Sequence, residues 1–370
     1  MLLDELQYQI GLTMLDGIGD VLAKNLVAYC GSAKEVFQTN KSLLEKIPGI
    51  GIGLAKSISQ NKMVLDRAEQ EIRFIEKNNI VPLFFTDENY PYRLKNCYDS
   101  PVMLYYKGNA DLNTDKIVSI VGTRTPSEYG RHITEKFVQD LSSLGCLVVS
   151  GLAYGIDVTA HKASVDNNIP NVGVVAHGLD RIYPAAHKAI ADRMMLNGGV
   201  LTDFMSETNP DKENFPKRNR IVAGICDALV VVESKRGGGS LITATIANAY
   251  NKDVFAFPGQ AGDSLSEGCN GLIKTNKASL IESVADLKYI MNWQEETSIK
   301  KDTKQIPLLL NLTDEEQAII KAFDGKKQLH IDEISYTTNF PISKTSTHLL
   351  QLEFSNVIKS LPGKMYQLIN

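Results

Sequence analysis

The sequence predicts an α/β protein built on a parallel, doubly wound sheet, with a small helical module before the sheet and a second small unit after it. Three observations carry this: short β-branched runs alternate with helical periods through the middle of the chain, a glycine-led repeat lies between Gly17 and Lys56, and the composition turns polar after Trp293. Strands separated by helices select a parallel sheet over a sandwich. At about 150 residues per domain, 370 residues make two to three domains. With 43% apolar and 22% charged residues the chain is neither mostly disordered nor collagen-like. A net charge of −4 excludes bulk electrostatic coating of nucleic acid and leaves room for a local basic groove.

The first segment, residues 1–80, carries the repeat. Gly17-Ile18-Gly19 with Leu22-Ala23-Lys24 recurs 32 residues later as Gly49-Ile50-Gly51 with Leu54-Ala55-Lys56, six identities in eight positions. Each copy sets two glycines just ahead of a helical period, so the turn can point N–H groups outward at a helix N-terminus and hold a phosphate. This pattern resembles a tandem helix-hairpin-helix, SAM-like module. Gly17, Gly19, Gly49 and Gly51 are then either auxiliary backbone contacts to nucleic acid or spacers that let helices pack as a scaffold.

The second segment, residues 81–292, opens with a connector containing Pro82, Pro91 and Pro101, whose turn chemistry breaks any helix and which is expected to dock on the sheet. Strands are predicted at Ile117–Val121, Leu147–Ser150, Val172–Ala176, Val200–Thr202, Ala228–Val232 and Val254–Phe257. Runs such as Leu229-Val230-Val231-Val232 fit strands buried on both faces. Residues 293–312 read as a linker. In residues 313–370, helical periods at Glu315–Phe323 and Ser343–Phe354 and β-like runs around Val357-Ile358 and Tyr366–Ile369, with Pro362-Gly363 between, predict a winged helix. Its 7 acids against 6 lysines, and a second helix holding only Lys344 and His348, favour protein contact over groove reading.

Five scattered cysteines with no C-x-x-C pair suggest neither a disulfide framework nor a zinc site, and point to a reducing compartment. Acids at Asp4 and Glu5 argue against a signal peptide, and no apolar run approaches the ~18 residues of a membrane span. The expectation is a cytoplasmic, soluble protein without a membrane partner.

Ligands of an open parallel sheet bind beyond the carboxyl ends of its strands. The first such loop, Gly122-Thr123-Arg124-Thr125-Pro126-Ser127, suits an anion, or else is an N-cap beside a surface arginine; it lacks both the dinucleotide fingerprint and the P-loop, which argues against a nucleotide cofactor. The second, Ser150-Gly151-Leu152-Ala153-Tyr154-Gly155-Ile156-Asp157, allows close backbone approach at its glycines. Asp157 and His161, one helical turn apart, are open to an acid–base reading, and more simply to an intrahelical pair near a cap. A third turn, Gly178 to Pro184, offers Tyr183. Phe215-Pro216-Lys217-Arg218-Asn219-Arg220 is the densest positive stretch and sets a stacking face beside cations, as single-strand binders do, unless Arg218 or Arg220 is buried against a carboxylate. Gly237-Gly238-Gly239-Ser240 joins a strand to a helix as a backbone nest for phosphate.

As a set, Gly122-Thr123-Arg124 with Ser127 and Tyr129-Gly130, Ser150–Asp157 with Ala160-His161, Gly178-Leu179-Asp180 with Tyr183-Pro184, Phe215-Pro216 with Arg218–Ile221, Gly239–Ala244 and Pro258-Gly259 resembles the bacterial DNA-processing protein A (DprA/Smf) family. Thr123, Thr202-Asp203 and His187 depart from that pattern, which has serine, Ser-Glu and asparagine there. The resemblance implies a Rossmann-like core between a helical module and a winged-helix tail. It also implies a single-stranded-DNA-binding protein that forms a homodimer, protects incoming DNA and loads RecA recombinase during natural transformation. The expected DNA contacts are Arg124, Ser127, Gly151, Phe215, Lys217, Arg218, Asn219, Arg220, Gly238, Gly239 and Ser240, with no catalytic residue, metal or cofactor. The glycine loop also resembles that of Rossmann-like phosphoribohydrolases, but no acid follows it within Ser240–Thr245.

Overall fold

The computed structural model describes residues 2–60, 63–293, 312–324, 326, 328–355, 357–361 and 364–369. They form two compact units, 1–294 and 295–370. The linker expected at 293–312 falls outside the described residues except for its two ends, and so does the Pro362-Gly363 turn.

The first unit begins with six helices, α1 (Leu2–Thr13), α2 (Asp20–Cys30), α3 (Ala33–Gln38), α4 (Lys41–Leu44), α5 (Ile52–Gln60) and α6 (Met63–Lys77). Gly17 and Gly49 hold φ of +77° and +87°, which a side chain rarely adopts, and each admits a leucine of the other repeat. A Cβ on Gly17 would stand 2.8 Å from Leu54, and a Cβ on Gly49 would stand 2.8 Å from Leu22. The two hairpins therefore interlock reciprocally.

Two strands, β1 (Val81–Phe84) and β2 (Met103–Gly108), come from the connector, with the short α7 (Tyr92–Lys95) between them. The proline rule hid the first, since Pro82 is tolerated in β1 because β1 lies at the sheet edge. Phe84, Met103 and Tyr105 share one apolar core with the helical module, so helices and sheet edge fold as a single body.

The remaining strands are β3 (Ile117–Val121), β4 (Leu147–Ser150), β5 (Asn171–Val174), β6 (Gly198–Thr202), β7 (Ala228–Val231), β8 (Asp253–Ala256) and β9 (Ser279–Leu280). The order is β1-β2-β6-β5-β4-β3-β7-β8-β9, parallel from β6 to β9 and antiparallel at β1 and β2. Side chains alternate between two cores: Ile117, Val121, Leu147, Val149, Leu229 and Val231 face one, and Val118, Ile120, Val148 and Val230 face the other. Burial on both faces explains the unbroken apolar runs. The crossovers are α8 (Glu128–Leu141), α9 (Ile156–Asp166), α10 (Lys188–Met194), α11 (Asn214–Gly224) and α12 (Gly239–Ala249), followed by α13 (Glu267–Lys274) and α14 (Val284–Ile290). From β3 the chain winds outward through β4, β5 and β6, then returns to place β7 on the other side of β3. The switch point thus lies between β3 and β7.

The second unit packs α15 (Asp314–Ala322), α16 (Ile331–Thr338) and α17 (Ile342–Phe354) on a sheet of β10 (Gln328–His330), β12 (Met365–Leu368) and β11 (Ile358–Leu361), the winged-helix pattern. Lys344 and His348 of α17 sit on one acid: Lys344 Nζ is 2.5 Å and His348 Nε2 2.7 Å from the Glu315 carboxylate.

The reciprocal packing makes a direct forecast. Gly49→Ala should lower stability by about 1–2 kcal/mol, read as a drop in Tm, because it adds both a strained φ and a clash with Leu22. Gly51→Ala, with open space around its Cβ, should leave Tm nearly unchanged.

Candidate nucleic-acid interface

At the switch point a pocket of about 220 Å³ opens beyond the carboxyl ends of β3, β4 and β7. Three loops and one helix build it: Gly122–Thr125 after β3, Ala153 and Asp157 after β4, Ser234, Lys235 and Gly238–Ser240 after β7, and Phe215, Arg218 and Asn219 of α11. Gly238 caps α12, and the N–H groups of Gly239 and Ser240 in its first turn have no acceptor within the helix. They give the pocket wall positive polarity suited to phosphate. Ser240 Oγ donates to Ser234 Oγ at 2.8 Å, which fixes the turn.

The floor is a buried cation. Arg218, 5% exposed, reaches under the loop after β4, and a Cβ on Gly151 would land on its guanidinium. Asp157 faces it and accepts from the N–H groups of Gly151 and Ala153 at 3.2 and 3.4 Å. Burial pushes the Asp157 carboxyl up, and the nearby Arg218 charge and the backbone donors oppose that rise. Burial likewise pulls Arg218 down against the attraction of Asp157. Each compensates the desolvation of the other.

Arg124 is different. Its guanidinium carbon lies 5.4 Å from the centre of the Phe215 ring, and among the described residues it has no acidic partner. Beside it a smaller cleft is lined by Tyr154, Val175, Ala176, His177, Tyr183 and Pro184. His177 organises that wall: its Nε2 accepts from the Tyr183 N–H at 3.1 Å, so Nδ1 carries the proton donated to the Gly178 carbonyl at 2.8 Å. Tyr183 and Phe215 stand 6.3 Å apart, centre to centre.

The pocket thus offers backbone donors, an arginine without an acidic partner among the described residues, and an aromatic face. Residues 82–292 match the family model for DNA recombination-mediator protein A, and residues 304–364 match the DprA winged helix domain. The chain belongs to the DNA recombination-mediator protein A family. Similar members are the DNA processing protein DprA of Streptococcus pneumoniae, 42% identical over 54% of this chain and 71% of that one, and the protein Smf of Synechocystis, 29% identical over 98% of both. Among solved structures, DprA of Streptococcus pneumoniae superposes with a TM-score of 0.66 at 31% identity, covering 76% of this chain and 97% of that one. The Helicobacter pylori family member, whose structure concerns its single-stranded DNA binding mode, superposes at 0.52 with 27% identity, covering 58% of this chain and 95% of that one.

Within this family fold the expected contact residues separate into two groups. Arg124, Phe215, Arg218, Asn219, Gly238, Gly239 and Ser240 line the pocket, and Gly151 lines the adjoining cleft. Three others are placed elsewhere. Arg220 is two residues from Arg218, so it leaves α11 on the far side. It bonds Asp20 at 2.8 Å, Asp203 at 3.0 Å and the Asp99 carbonyl at 2.5 Å, tying the helical module to the sheet. Ser127 is the N-cap of α8: its hydroxyl accepts from Gly130 N and donates to buried Glu233 at 2.6 Å. Lys217 is exposed and lines neither depression. Lys235 and Tyr154 also line these depressions; Tyr154 lies inside the loop after β4 quoted above, and Lys235 stands two residues before the glycine nest. Asp157 and His161 do not form a pair, since His161 Nδ1 lies 3.0 Å from Asn171 Oδ1.

Among the hairpin glycines, Gly19 precedes Asp20, whose carboxylate occupies the start of α2 and accepts from Val102 N at 2.9 Å. An acid there opposes a second anion. The helix after Gly51 starts at Ile52 and carries no such acid.

Two measurements follow from these placements. Arg220→Ala should lower stability by about 3 kcal/mol, since it strands Asp20 and Asp203 together, while leaving the salt dependence of DNA binding by folded protein unchanged. Burial holds His161 at about 4, below its ordinary 6.5. The unfolded chain then binds the extra proton first, so stability present above pH 6.5 is lost as pH falls toward 4, by about 3 kcal/mol in all. In acid melts, His161→Gln should flatten that slope; an unchanged slope would refute the assignment.

Proposed function

We propose that this chain binds single-stranded DNA at the β3–β7 edge, phosphate in the pocket and base in the aromatic cleft, and does so without catalytic turnover. The observation that carries this is Arg124, an unpaired cation over Phe215 at the junction of pocket and cleft. Stacking on Phe215 or Tyr183 needs an unpaired base, which a single strand offers and a duplex hides. Asp157, the one acid among the described residues lining the pocket, faces Arg218; its hydroxyl neighbour Ser150 is fully buried and donates to the Ile120 carbonyl, and His161 is buried against Asn171, an arrangement of structural hydrogen bonds that favours binding over chemistry. Family membership further supports protection of incoming strands, loading of RecA recombinase, action as a homodimer and a cytoplasmic setting. Among the described residues no helix is long and apolar enough to cross a membrane. The hairpin after Gly49 serves as an auxiliary backbone grip.

Binding to single- and double-stranded oligonucleotides across a salt series tests the reading. Arg124→Ala should weaken single-strand binding roughly 10-fold and reduce the logarithmic salt slope by about 0.7, the share of one phosphate. Equal affinity for both strand forms would sink it. Base release from nucleoside monophosphates, or strand cleavage abolished by Asp157→Asn, would instead establish a phosphoribohydrolase-like or nuclease activity.

A further inference from the structure

Arg124 lines not two depressions but three. The third is a groove of about 460 Å³ between α8 and α9, walled by Arg131 and Glu135 on one side and by Tyr154, Val158, Thr159 and Lys162 on the other. Positions 131 and 135 lie one turn apart on α8, and 155, 158, 159 and 162 share one face of α9, so the two helices present their polar stripes to a common channel. Arg131 and Lys162 are exposed, and neither has an acidic partner among the described residues. Glu135 makes no ion pair among the described residues, and the three cations along the channel outnumber this one acid.

The head of this groove is fixed to the pocket. Gly155, at φ +81°, starts α9 against the backbone of Thr123 and Arg124, where a Cβ would collide with both. Ile156 N then donates to the Thr123 carbonyl at 3.1 Å. Tyr154 belongs to both the cleft and the groove, and its ring is held edge-on to His187 at 4.8 Å. An aromatic and an arginine are therefore shared walls of adjoining depressions, a continuous surface for one strand.

We infer that the α8–α9 groove is a second phosphate subsite, which carries the single strand out of the pocket past Arg124 and Tyr154 to Arg131 and Lys162. This rests on the pocket being the single-strand site. The ligand class is the phosphodiester backbone of an unpaired strand, held by charge without base readout. Cations at the amino edge of the sheet, Lys116 before β3 and Lys252 before β8, lie off this path.

The test compares a thymidine trinucleotide, which fills the pocket alone, with a thymidine 20-mer. Arg131→Ala/Lys162→Ala should weaken the 20-mer roughly 10- to 30-fold and reduce its salt slope by about 1.4, two phosphates' worth, while leaving the trinucleotide unchanged. Arg124→Ala should weaken both ligands. If the double variant binds the 20-mer normally while Arg124→Ala does not, the subsite is refuted and the pocket stands. An equal loss in the charge-matched Lys116→Ala/Lys252→Ala variant would mean a general field effect and also refute it. Normal binding of both ligands by Arg124→Ala would remove the pocket and the subsite with it.

Discussion

Arg218 fills the space that a side chain at Gly151 would need, and from that close approach the rest of the binding edge takes its shape. A buried guanidinium is tolerable only with a compensating charge, and Asp157 supplies it from the first turn of α9. The same carboxylate collects the N–H groups of Gly151 and Ala153, so the loop after β4 is drawn down onto α11. With the loop seated, Gly155 brings α9 against Arg124, and Arg124 is left over Phe215 with its charge unspent. One buried pair thus separates cations that hold the scaffold from cations that face solvent.

That separation explains why a net-acidic chain can present a positive site. Arg93, Arg220 and Arg67 are each committed to carboxylates or carbonyls that join segments far apart in sequence. Arg124, Arg131, Lys162 and Lys235, which form no ion pair among the described residues, line the pocket or the α8–α9 groove beside it. Helix N-termini add to their field without adding to the charge count. Local placement, not composition, sets the electrostatics that an anionic strand would meet.

Much of this was legible in the sequence. Six of the seven parallel strands stood out because burial on both faces leaves unbroken apolar runs, which the short, exposed β9 lacks, and the glycine loops because close backbone approach has few other solutions. Strands β1 and β2 did not, since Pro82 and Pro101 mimic a pure connector and only the edge position of β1 excuses the proline. Arg218 and Arg220 read as one cluster, although two residues on a helix point about 200° apart. That angle was available, but not the knowledge of which side held Asp20 and Asp203. Ser127 looked like a ligand for a similar reason: an N-cap hydroxyl and an anion-binding hydroxyl have the same sequence signature, and only Glu233, over a hundred residues on, decides between them.

The interlocked hairpins carry a consequence for how such a module can change over time. Leu22 fills the hollow over Gly49, and Leu54 the hollow over Gly17, so each copy is completed by its counterpart. A duplicated unit is usually free to diverge, one half keeping its role while the other drifts. Here the glycine and leucine of both halves are bound into one exchange, and a change in either is felt across the duplication. Divergence is left to Gly19, Gly51 and the residues that follow them, where Asp20 and Ile52 already differ.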